Sequence, residues 1–307
     1  MPLPLISRRG MMAGAGAALL AGGTARAAPP AFRTVTPGVI TIANSGEMPM
    51  VGFEGDRMIG SDAEMVAVIA AKLGLGVKSA LMEWSATVQS VRSGRADIMV
   101  GNMGWTPARA QALLITDAIY YGGAFAAVKA DLKVPDLITT ADMKGRSIGT
   151  ITGFTIVPEM KKVPGTTEVK LYDNSDAAIR DVVAGRLDFA LLDGPLMDYI
   201  VLQNPGWGLK TVALKREEAF PQLTSKQHTV MGMNQENHDL FDAVNAGVKW
   251  LWASKTNAEL MRKYGIKNPD YLDPPTPDPR VGVDRTAGGG LAGPGAHTPR
   301  DFSALFA

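Results

Sequence analysis

Two short segments of the chain combine residue types that could hold a small charged molecule. In residues 104–109 (GWTPAR), Thr106 is a good N-cap and Pro107 suits the first position of a helix. The free N–H groups at a helix start attract anions, and Arg109 can donate two hydrogen bonds to one carboxylate or phosphate. Gly104 would let such a group approach the backbone closely. The segment predicts an anion clamp, although a surface arginine in a capped helix would show the same pattern.

The second segment places a carboxylate at the end of a strand. Asp193 follows the predicted strand 187–192 and precedes Gly194 and Pro195. A buried carboxylate needs a partner, because an unpaired buried charge is strongly destabilising. A ligand ammonium would serve, and so would the N–H groups of a helix that begins at Pro195. Together, Arg109 and Asp193 fit a zwitterion whose carboxylate meets the arginine and whose ammonium meets the aspartate.

The weaker candidates also follow predicted strands. Trp84 could cover a ligand's side chain, although a core tryptophan fits equally well. Phe154 and Thr155 open a predicted helix, so their N–H groups could face a ligand, and a structural turn is the alternative. Asn102 could donate to a carboxylate. Glu47 could bind a cationic side chain, although an ordinary loop carboxylate is the simpler interpretation.

The elements that must position these residues alternate between strand and helix. Such alternation predicts an open, largely parallel sheet with helices on both faces, in which ligands bind beyond the carboxyl ends of the strands. Residues 91–100 (VRSGRADIMV) resemble residues 182–191 (VVAGRLDFAL), which indicates two similar lobes. The strand after the first copy ends at residues 101–104 and the strand after the second ends at Asp193. If the lobes face each other, both candidate segments line one cleft.

Two helices are predicted in more detail. The first runs from Ser61 to Leu73, with Ser61 as N-cap and Glu64 completing a capping box. The second lies near the end of the alternating region, and its apolar residues recur at helical spacing. Those residues are Leu240, Phe241, Val244, Val248 and Leu251.

Composition excludes several classes of protein. The 307 residues include no cysteine, and 31 Lys and Arg face 30 Asp and Glu, a formal charge of +1. Without cysteine there is no disulfide, thiolate zinc site or iron–sulfur cluster, and the three histidines are scattered. A charge near zero argues against a nucleic-acid partner. We therefore expect no metal, no cofactor and no nucleic acid, and the length suggests about two domains.

The two ends of the chain differ from its middle. Residues 1–27 combine Arg8 and Arg9, an uncharged apolar stretch and a final Ala25-Arg26-Ala27, which predicts a twin-arginine-like export signal. Its removal would leave a soluble periplasmic protein, and an uncleaved membrane anchor is the alternative. Residues 270–307 are rich in Pro and Gly and show no apolar period, so we expect a disordered tail.

Residues 38–265 resemble the amino-acid-binding family of extracellular solute-binding proteins that serve ABC importers. Residues 93–98 and 101–109 carry the best match, and residues 116–121 (TDAIYY) are similar to the family's T-x-E-R … F-S-x-P-Y signature. The resemblance implies a two-lobe fold of the Venus-flytrap type, with two sheets joined by two hinge strands. Lobe 1 would comprise residues 36–122 and 226–268, and lobe 2 would comprise residues 123–225.

The resemblance also implies roles for individual residues. The arginine at Arg109 would grip an α-carboxylate, helped by the position of Gly104, and Asp193 would take the α-ammonium. Trp84 would contact the ligand's side chain, and Thr155 would lie at an anion-binding turn of lobe 2. The chain departs from the family pattern at residues 47–50 (EMPM for Y-P-P-F), at Gly104 (for Ser) and at Phe154 (for a polar residue).

The function implied is that of a monomeric periplasmic binding protein without catalytic residues. It would capture an amino acid or related small carboxylate and deliver it to the membrane permease of an ABC importer. An enzyme on the same scaffold, such as a dehydratase of a small carboxylic acid, is one alternative, with Glu47 and Glu83 as the candidate acid or base. An accessory binding protein of a periplasmic dehydrogenase system is the other.

Overall fold

The computed structural model describes residues 32–307, so the predicted export signal at residues 1–27 lies outside the described residues. Within that range, none of the helices has the length and apolar character needed to span a bilayer. The α-helices are α1 (Ser61–Lys72), α2 (Trp84–Arg92), α3 (Pro107–Ala112), α4 (Val157–Met160), α5 (Ser175–Val183), α6 (Gly194–Gln203), α7 (Pro221–Thr224), α8 (His238–Ser254) and α9 (Thr256–Lys263). The strands are β1 (Val39–Asn44), β2 (Gly52–Glu54), β3 (Arg57–Ile59), β4 (Gly76–Leu81), β5 (Ile98–Met99), β6 (Leu114–Ile115), β7 (Tyr120–Gly122), β8 (Ala124–Lys129), β9 (Leu137–Ile138), β10 (Ser147–Ile151), β11 (Glu168–Tyr172), β12 (Phe189–Asp193), β13 (Leu209–Leu214), β14 (Gln227–Thr229) and β15 (Gly232–Met233).

Two mixed sheets form the centres of the two lobes. The lobe 1 sheet has the order β4-β1-β5-β15-β6, and the lobe 2 sheet has the order β11-β10-β12-β8-β13-β9. β1 runs parallel to β4 and β5, as β10 does to β11 and β12. The first sheet strand after each crossing between lobes, β8 or β15, runs antiparallel to its neighbours. The predicted α/β two-lobe architecture is confirmed, with antiparallel strands where the chain enters each lobe.

Two hinge strands connect the sheets. β7 leads from lobe 1 into β8, and β14 leads from lobe 2 back towards β15. The hinge strands pair antiparallel, with Gly122 opposite Gln227 and Tyr120 opposite Thr229. Adjacent crossings of this kind let two lobes open and close as rigid bodies, because a few residues absorb the motion.

The repeated segment has the same structural role in both lobes. Asp97 accepts hydrogen bonds from the N–H of Thr41 at 2.7 Å and from the N–H of Val35 at 2.8 Å. Asp188 accepts from the N–H and the hydroxyl of Ser147, at 2.8 and 2.9 Å. Each aspartate lies just before its own strand and bonds to the neighbouring parallel strand. The repeat therefore stabilises two similar sheets and does not itself place chemistry in the cleft.

The start of α1 differs from the prediction. Ser61 is the first helical residue, and Gly60, at φ 111°, is an N-cap without a side-chain cap bond. A Cβ atom at Gly60 would lie 2.3 Å from the Met50 oxygen, so a side chain does not fit there. Glu64 binds Lys263 instead of completing a capping box. The predicted apolar face of α8 is confirmed, since its members are buried: Leu240, Phe241, Val244, Val248 and Leu251.

The C-terminal segment, residues 270–307, is packed against lobe 1 and is not the disordered tail that its composition predicts. Phe302 and Phe306 are each 6% exposed. The Phe302 ring lies 5.5 Å from the ring of Phe32, and Phe306 lies 6.1 Å from Trp250. These residues are ordered despite their composition, because the two rings pack on the apolar surface of lobe 1 and need no core of their own.

Buried arginines hold the same segment in place. Arg280 is 2% exposed, pairs with Asp284 at 2.7 Å and donates to the main-chain oxygen of Thr116 at 2.8 Å. Arg285 donates to the main-chain oxygen of Ile115 at 2.7 Å. These bonds satisfy carbonyl groups at the end of β6 and just after it, where the lobe 1 sheet ends.

Candidate binding site between the lobes

Arg109 extends from the first turn of α3 across the cleft. Thr106 caps this helix as predicted, since its Oγ1 accepts the N–H of Arg109 at 3.1 Å and Pro107 is the first helical residue. The guanidinium donates to the main-chain oxygen of Gly104 at 2.6 Å and to that of Gly153, in lobe 2, at 3.1 Å. A cation in the first turn opposes the helix dipole. Arg109 therefore does not stabilise the helix from this position, and its side chain reaches into the cleft instead.

The Arg109 guanidinium is partly shielded from water but remains charged. Its guanidinium carbon lies 5.6 Å from the centre of the Trp84 ring. Burial lowers the pKa of Arg109 to about 10, and the nearby Asp193 carboxylate opposes that shift. At neutral pH the arginine is therefore protonated, and it is poorly solvated. A cation in this state gains more from an anion than one in bulk water does.

Asp193 ends β12 and lies at the N-cap position of α6, yet its carboxylate makes no cap bond to that helix. The interpretation of Asp193 as a plain helix cap is therefore wrong. Burial raises the pKa of Asp193 to about 7, while a hydrogen bond from Asn102 lowers it and the charge of Glu47 raises it. The weaker attraction of Arg109 also lowers this pKa. A ligand ammonium would stabilise the ionised form of this carboxylate.

Asn102 is held beside Asp193 by a buried carboxylate. Its φ of 52° is left-handed, and its N–H donates to Asp62 at 2.7 Å. Asp62 is fully buried and also accepts from the hydroxyls of Ser61 and Tyr120. Burial raises the pKa of Asp62 to about 6. Sequence reasoning missed Asp62, because an acid in the first turn of a helix is ordinary.

A glutamine from the hinge lies between Gly104 and Thr155. The Oε1 of Gln227 accepts the Thr155 hydroxyl at 3.0 Å. A Cβ atom at Gly104 would come within 2.7 Å of that oxygen and 3.1 Å of the Thr155 Cγ2. Gly104 thus leaves room for side chains of the hinge and of lobe 2. Sequence reasoning missed Gln227, which no motif distinguishes.

Aromatic rings form one wall of the cleft. Trp84 is 5% exposed at the start of α2, and its ring meets that of Phe154 edge-on at 6.3 Å. The expected helix start at residues 154–155 is wrong, because α4 begins at Val157 and the Phe154 N–H donates to the Ile151 oxygen at 3.1 Å. Phe154 therefore contributes a ring, and its N–H is not free to bind an anion.

Glu47 joins the two lobes directly. One of its oxygens accepts the N–H of Ser175, at the start of α5 in lobe 2, at 2.8 Å and the Ser175 hydroxyl at 2.7 Å. Burial raises the pKa of Glu47, the hydrogen bonds from Ser175 lower it, and the charge of Glu83 raises it. In this closed arrangement Glu47 already has a partner. Glu83, the other candidate for acid–base chemistry, is exposed.

The cavity at the centre of the cleft is small. Its volume is about 10 Å³, which is room for about one water molecule. An amino acid enters only if the lobes move apart, and the hinge strands provide for that motion. The lining comes from both lobes and includes Ser45, Glu47, Met50, Val51, Trp84, Gly101, Phe154 and Asp193.

The two lobes and the hinge correspond to a known protein family. The model of the family described as bacterial extracellular solute-binding proteins, family 3, matches residues 40–267. The chain belongs to this family. The matched range covers both sheets and both hinge strands and ends before the C-terminal segment. The packed residues 270–307 are therefore an addition to the part that family 3 describes.

Individual relatives are distant but similar over most of their length. The L-cystine-binding protein TcyJ of Escherichia coli (strain K12) is 24% identical over 230 residues, which are 74% of this chain and 82% of TcyJ. The histidine-binding periplasmic protein of Salmonella typhimurium (strain LT2) is 23% identical over 213 residues, 68% of this chain and 79% of that protein. A crystal structure of the substrate binding protein of an amino acid ABC transporter has a TM-score of 0.66 at 22% identity, covering 74% of this chain and 99% of the other. The last comparison shows the same fold.

Proposed function

We propose that the protein binds an α-amino acid, or a related small carboxylate, between its lobes and delivers it to the permease of an ABC importer. One observation carries the proposal. Arg109 of lobe 1 donates to the Gly153 oxygen of lobe 2 and lies over the Trp84 ring, which lines the same cavity as Asp193 of lobe 2. A zwitterion with its carboxylate at Arg109 and its ammonium at Asp193 would compensate both of these partly buried charges at once.

The present partners of the arginine support a ligand of this class. Both hydrogen bonds of the Arg109 guanidinium go to carbonyl oxygens, of Gly104 and Gly153, which carry only partial charge. A carboxylate would exchange them for charge-assisted bonds, which are about twice as strong. Asn102 lies beside Asp193 and would complete the polar shell, while Trp84 and Phe154 would cover an apolar part of the ligand. Glu47 would meet a cationic group of the ligand if that group replaced its hydrogen bonds from Ser175.

The cellular setting follows from the same proposal. The protein would be exported, lose residues 1–27 and act in the periplasm as a monomer. Ligand binding would stabilise the closed form, because only there can one molecule contact both lobes. The permease would then bind the closed protein. The cystine- and histidine-binding relatives support an amino acid as the cargo.

Calorimetric titration of the protein with the standard L-amino acids and L-cystine tests the proposal. Arg109→Ala should weaken binding of the best ligand by about a hundredfold or more, because it leaves a buried carboxylate without its cation. Arg92→Ala is the matched control, since Arg92 is an exposed arginine at the end of α2. Unchanged affinity in Arg109→Ala would refute the clamp, and failure of every amino acid to bind would refute an amino acid as the ligand.

A catalytic role has less support from the geometry. The Glu47 carboxylate is bound to Ser175, and Glu83 is exposed, so neither is an acid or base poised in the cleft. We propose that the ligand is released unchanged. Mass spectrometry of ligand recovered after incubation would detect any turnover, and a product that the Arg109→Ala variant does not form would establish an enzyme.

A further inference from the structure

The amide of Gln227 lies between Thr155 and Gly104, the glycine whose carbonyl accepts a hydrogen bond from Arg109. Its Oε1 accepts the hydroxyl of Thr155, in lobe 2, at 3.0 Å, and its Nε2 donates to the main-chain oxygen of Gln222. On the lobe 1 side it lies against Gly104, where an added Cβ atom would meet the Oε1 at 2.7 Å. The missing side chain at Gly104 and the position of the amide therefore depend on each other.

An amide and a carboxylate can be held by the same kinds of groups. Both groups are planar, and each presents an oxygen that accepts hydrogen bonds. Here the oxygen is held by a hydroxyl from lobe 2 and lies over a glycine of lobe 1. The same glycine offers its carbonyl to Arg109 at 2.6 Å. Gln227 also lies in the hinge strand β14, opposite Gly122 of β7, so its side chain stands where the two lobes meet.

We propose that Gln227 is an internal substitute for the ligand's carboxylate, which must displace the amide from Gly104 and Thr155 in order to bind. The inference rests on the proposed function. It makes Gln227 the residue that sets both the affinity and the selectivity of the cleft. A ligand with a carboxylate displaces the amide, because it replaces neutral hydrogen bonds with charge-assisted ones at Arg109. A ligand without one has no such advantage.

Two substitutions at this position should have opposite effects. Gln227→Ala removes the competitor and should tighten amino-acid binding by about tenfold, the worth of about one hydrogen bond. Gln227→Glu has nearly the same shape but a full negative charge, so it should hold the site more firmly and weaken binding by about tenfold or more. A residue with a merely structural role would not give changes of opposite sign.

A control and a second route make the test specific. Gln235→Ala is the control, since Gln235 also donates its Nε2 to a main-chain oxygen, that of Gln111, at 3.0 Å, and should leave affinity unchanged. Gly104→Ala tests the same contact from the other side, since its Cβ would lie 2.7 Å from the Oε1, where an oxygen of the displacing carboxylate must also fit. It should therefore weaken amino-acid binding, and it should do so in Gln227→Ala as well, because the Cβ obstructs the carboxylate itself.

The full chain and these variants would be titrated calorimetrically with the standard L-amino acids and L-cystine. Tighter binding in Gln227→Ala and weaker binding in Gln227→Glu support the inference, as does binding that appears only in Gln227→Ala. Equal or weaker binding in Gln227→Ala, with wild-type binding intact, overturns this inference and leaves the proposed function standing. If no amino acid binds any of these proteins, this inference and the proposed amino-acid ligand are both refuted.

Discussion

The two lobes share one structural device and differ in the residues that come after it. In lobe 1, Asp97 bonds to the main chain of β1, and in lobe 2, Asp188 bonds to the first residue of β10. The lobe 1 chain then makes a left-handed turn at Asn102 before α3 and Arg109, whereas in lobe 2 Asp193 leads directly into α6. One sheet design thus presents a cation from one side and a carboxylate from the other.

The lobes also differ in what covers them. The C-terminal segment places Phe302, Phe306 and Arg280 on lobe 1. Its contact with lobe 2 includes the hydroxyl of Tyr271, which donates to Asp198 of α6 at 2.9 Å. Lobe 1 therefore gains buried apolar surface that the family match does not include. We infer that the segment stabilises lobe 1 and leaves ligand recognition to the cleft.

The largest expected effect is the loss of stability when the C-terminal segment packs less well on lobe 1. Phe302→Ala should lower the free energy of unfolding by about 3 kcal/mol, because it leaves a cavity beneath the C-terminal segment. Amide hydrogen exchange should increase in lobe 1 more than in lobe 2. Phe53→Ala is the control, since that ring is 42% exposed. Equal losses of protection in the two lobes would show that the segment does not act on lobe 1 in particular.

A smaller effect distinguishes the two copies of the shared device. Asp97→Ala should cost about 2 kcal/mol, because it leaves the N–H of the buried Thr41 without an acceptor and also removes the bond from the Val35 N–H. Asp188→Ala should cost about 1 kcal/mol, because this side chain is 39% exposed and water can replace it. Urea unfolding of both variants measures the difference. The reverse order would contradict the account of the two sheets.

The smallest expected effect is a pH dependence of affinity that distinguishes Asp193 from Arg109. Asp193 has a pKa raised to about 7, so it is ionised above that pH and protonated below it. Since an ammonium needs the ionised form, affinity should fall as the pH drops below about 7, by up to about tenfold per pH unit. Arg109, with a pKa of about 10, keeps its charge throughout.

Calorimetry between about pH 5.5 and about pH 8 measures this dependence. Asp193→Asn should bind weakly with a much flatter profile, and what dependence remains would report Glu47 and Asp62, whose pKa values are also raised. A wild-type protein with constant affinity over this range would remove Asp193 from the ammonium site.

Local signals in the sequence were enough to place the two charged groups. Thr106 and Pro107 mark the start of α3 regardless of the rest of the fold, so Arg109 could be assigned to its first turn. Asp193 follows a buried strand, and the rule for strand ends in α/β sheets places it at the cleft. The repeat at Asp97 and Asp188 indicated the two lobes, because each copy forms its bonds within one sheet.

The remaining contacts depend on parts of the chain that are distant in sequence. Gln227 reaches Thr155 only because β14 pairs with β7, and Glu47 reaches Ser175 only when the lobes close. Residues 270–307 are ordered because they pack on a surface of lobe 1. The composition of the segment gives no information about that surface. The helix expected at residue 154 starts later, because the Phe154 N–H turns back to Ile151.

The central claim is that one ligand carries a carboxylate to Arg109 and an ammonium to Asp193. It is tested most directly by titrating the protein with its best-binding L-amino acid, the methyl ester of that amino acid and its N-acetyl derivative. We predict that the free amino acid binds and that each derivative binds at least about a hundredfold more weakly, because each leaves one partly buried charge of the cleft unpaired. A derivative that binds as tightly as the free amino acid would contradict the claim.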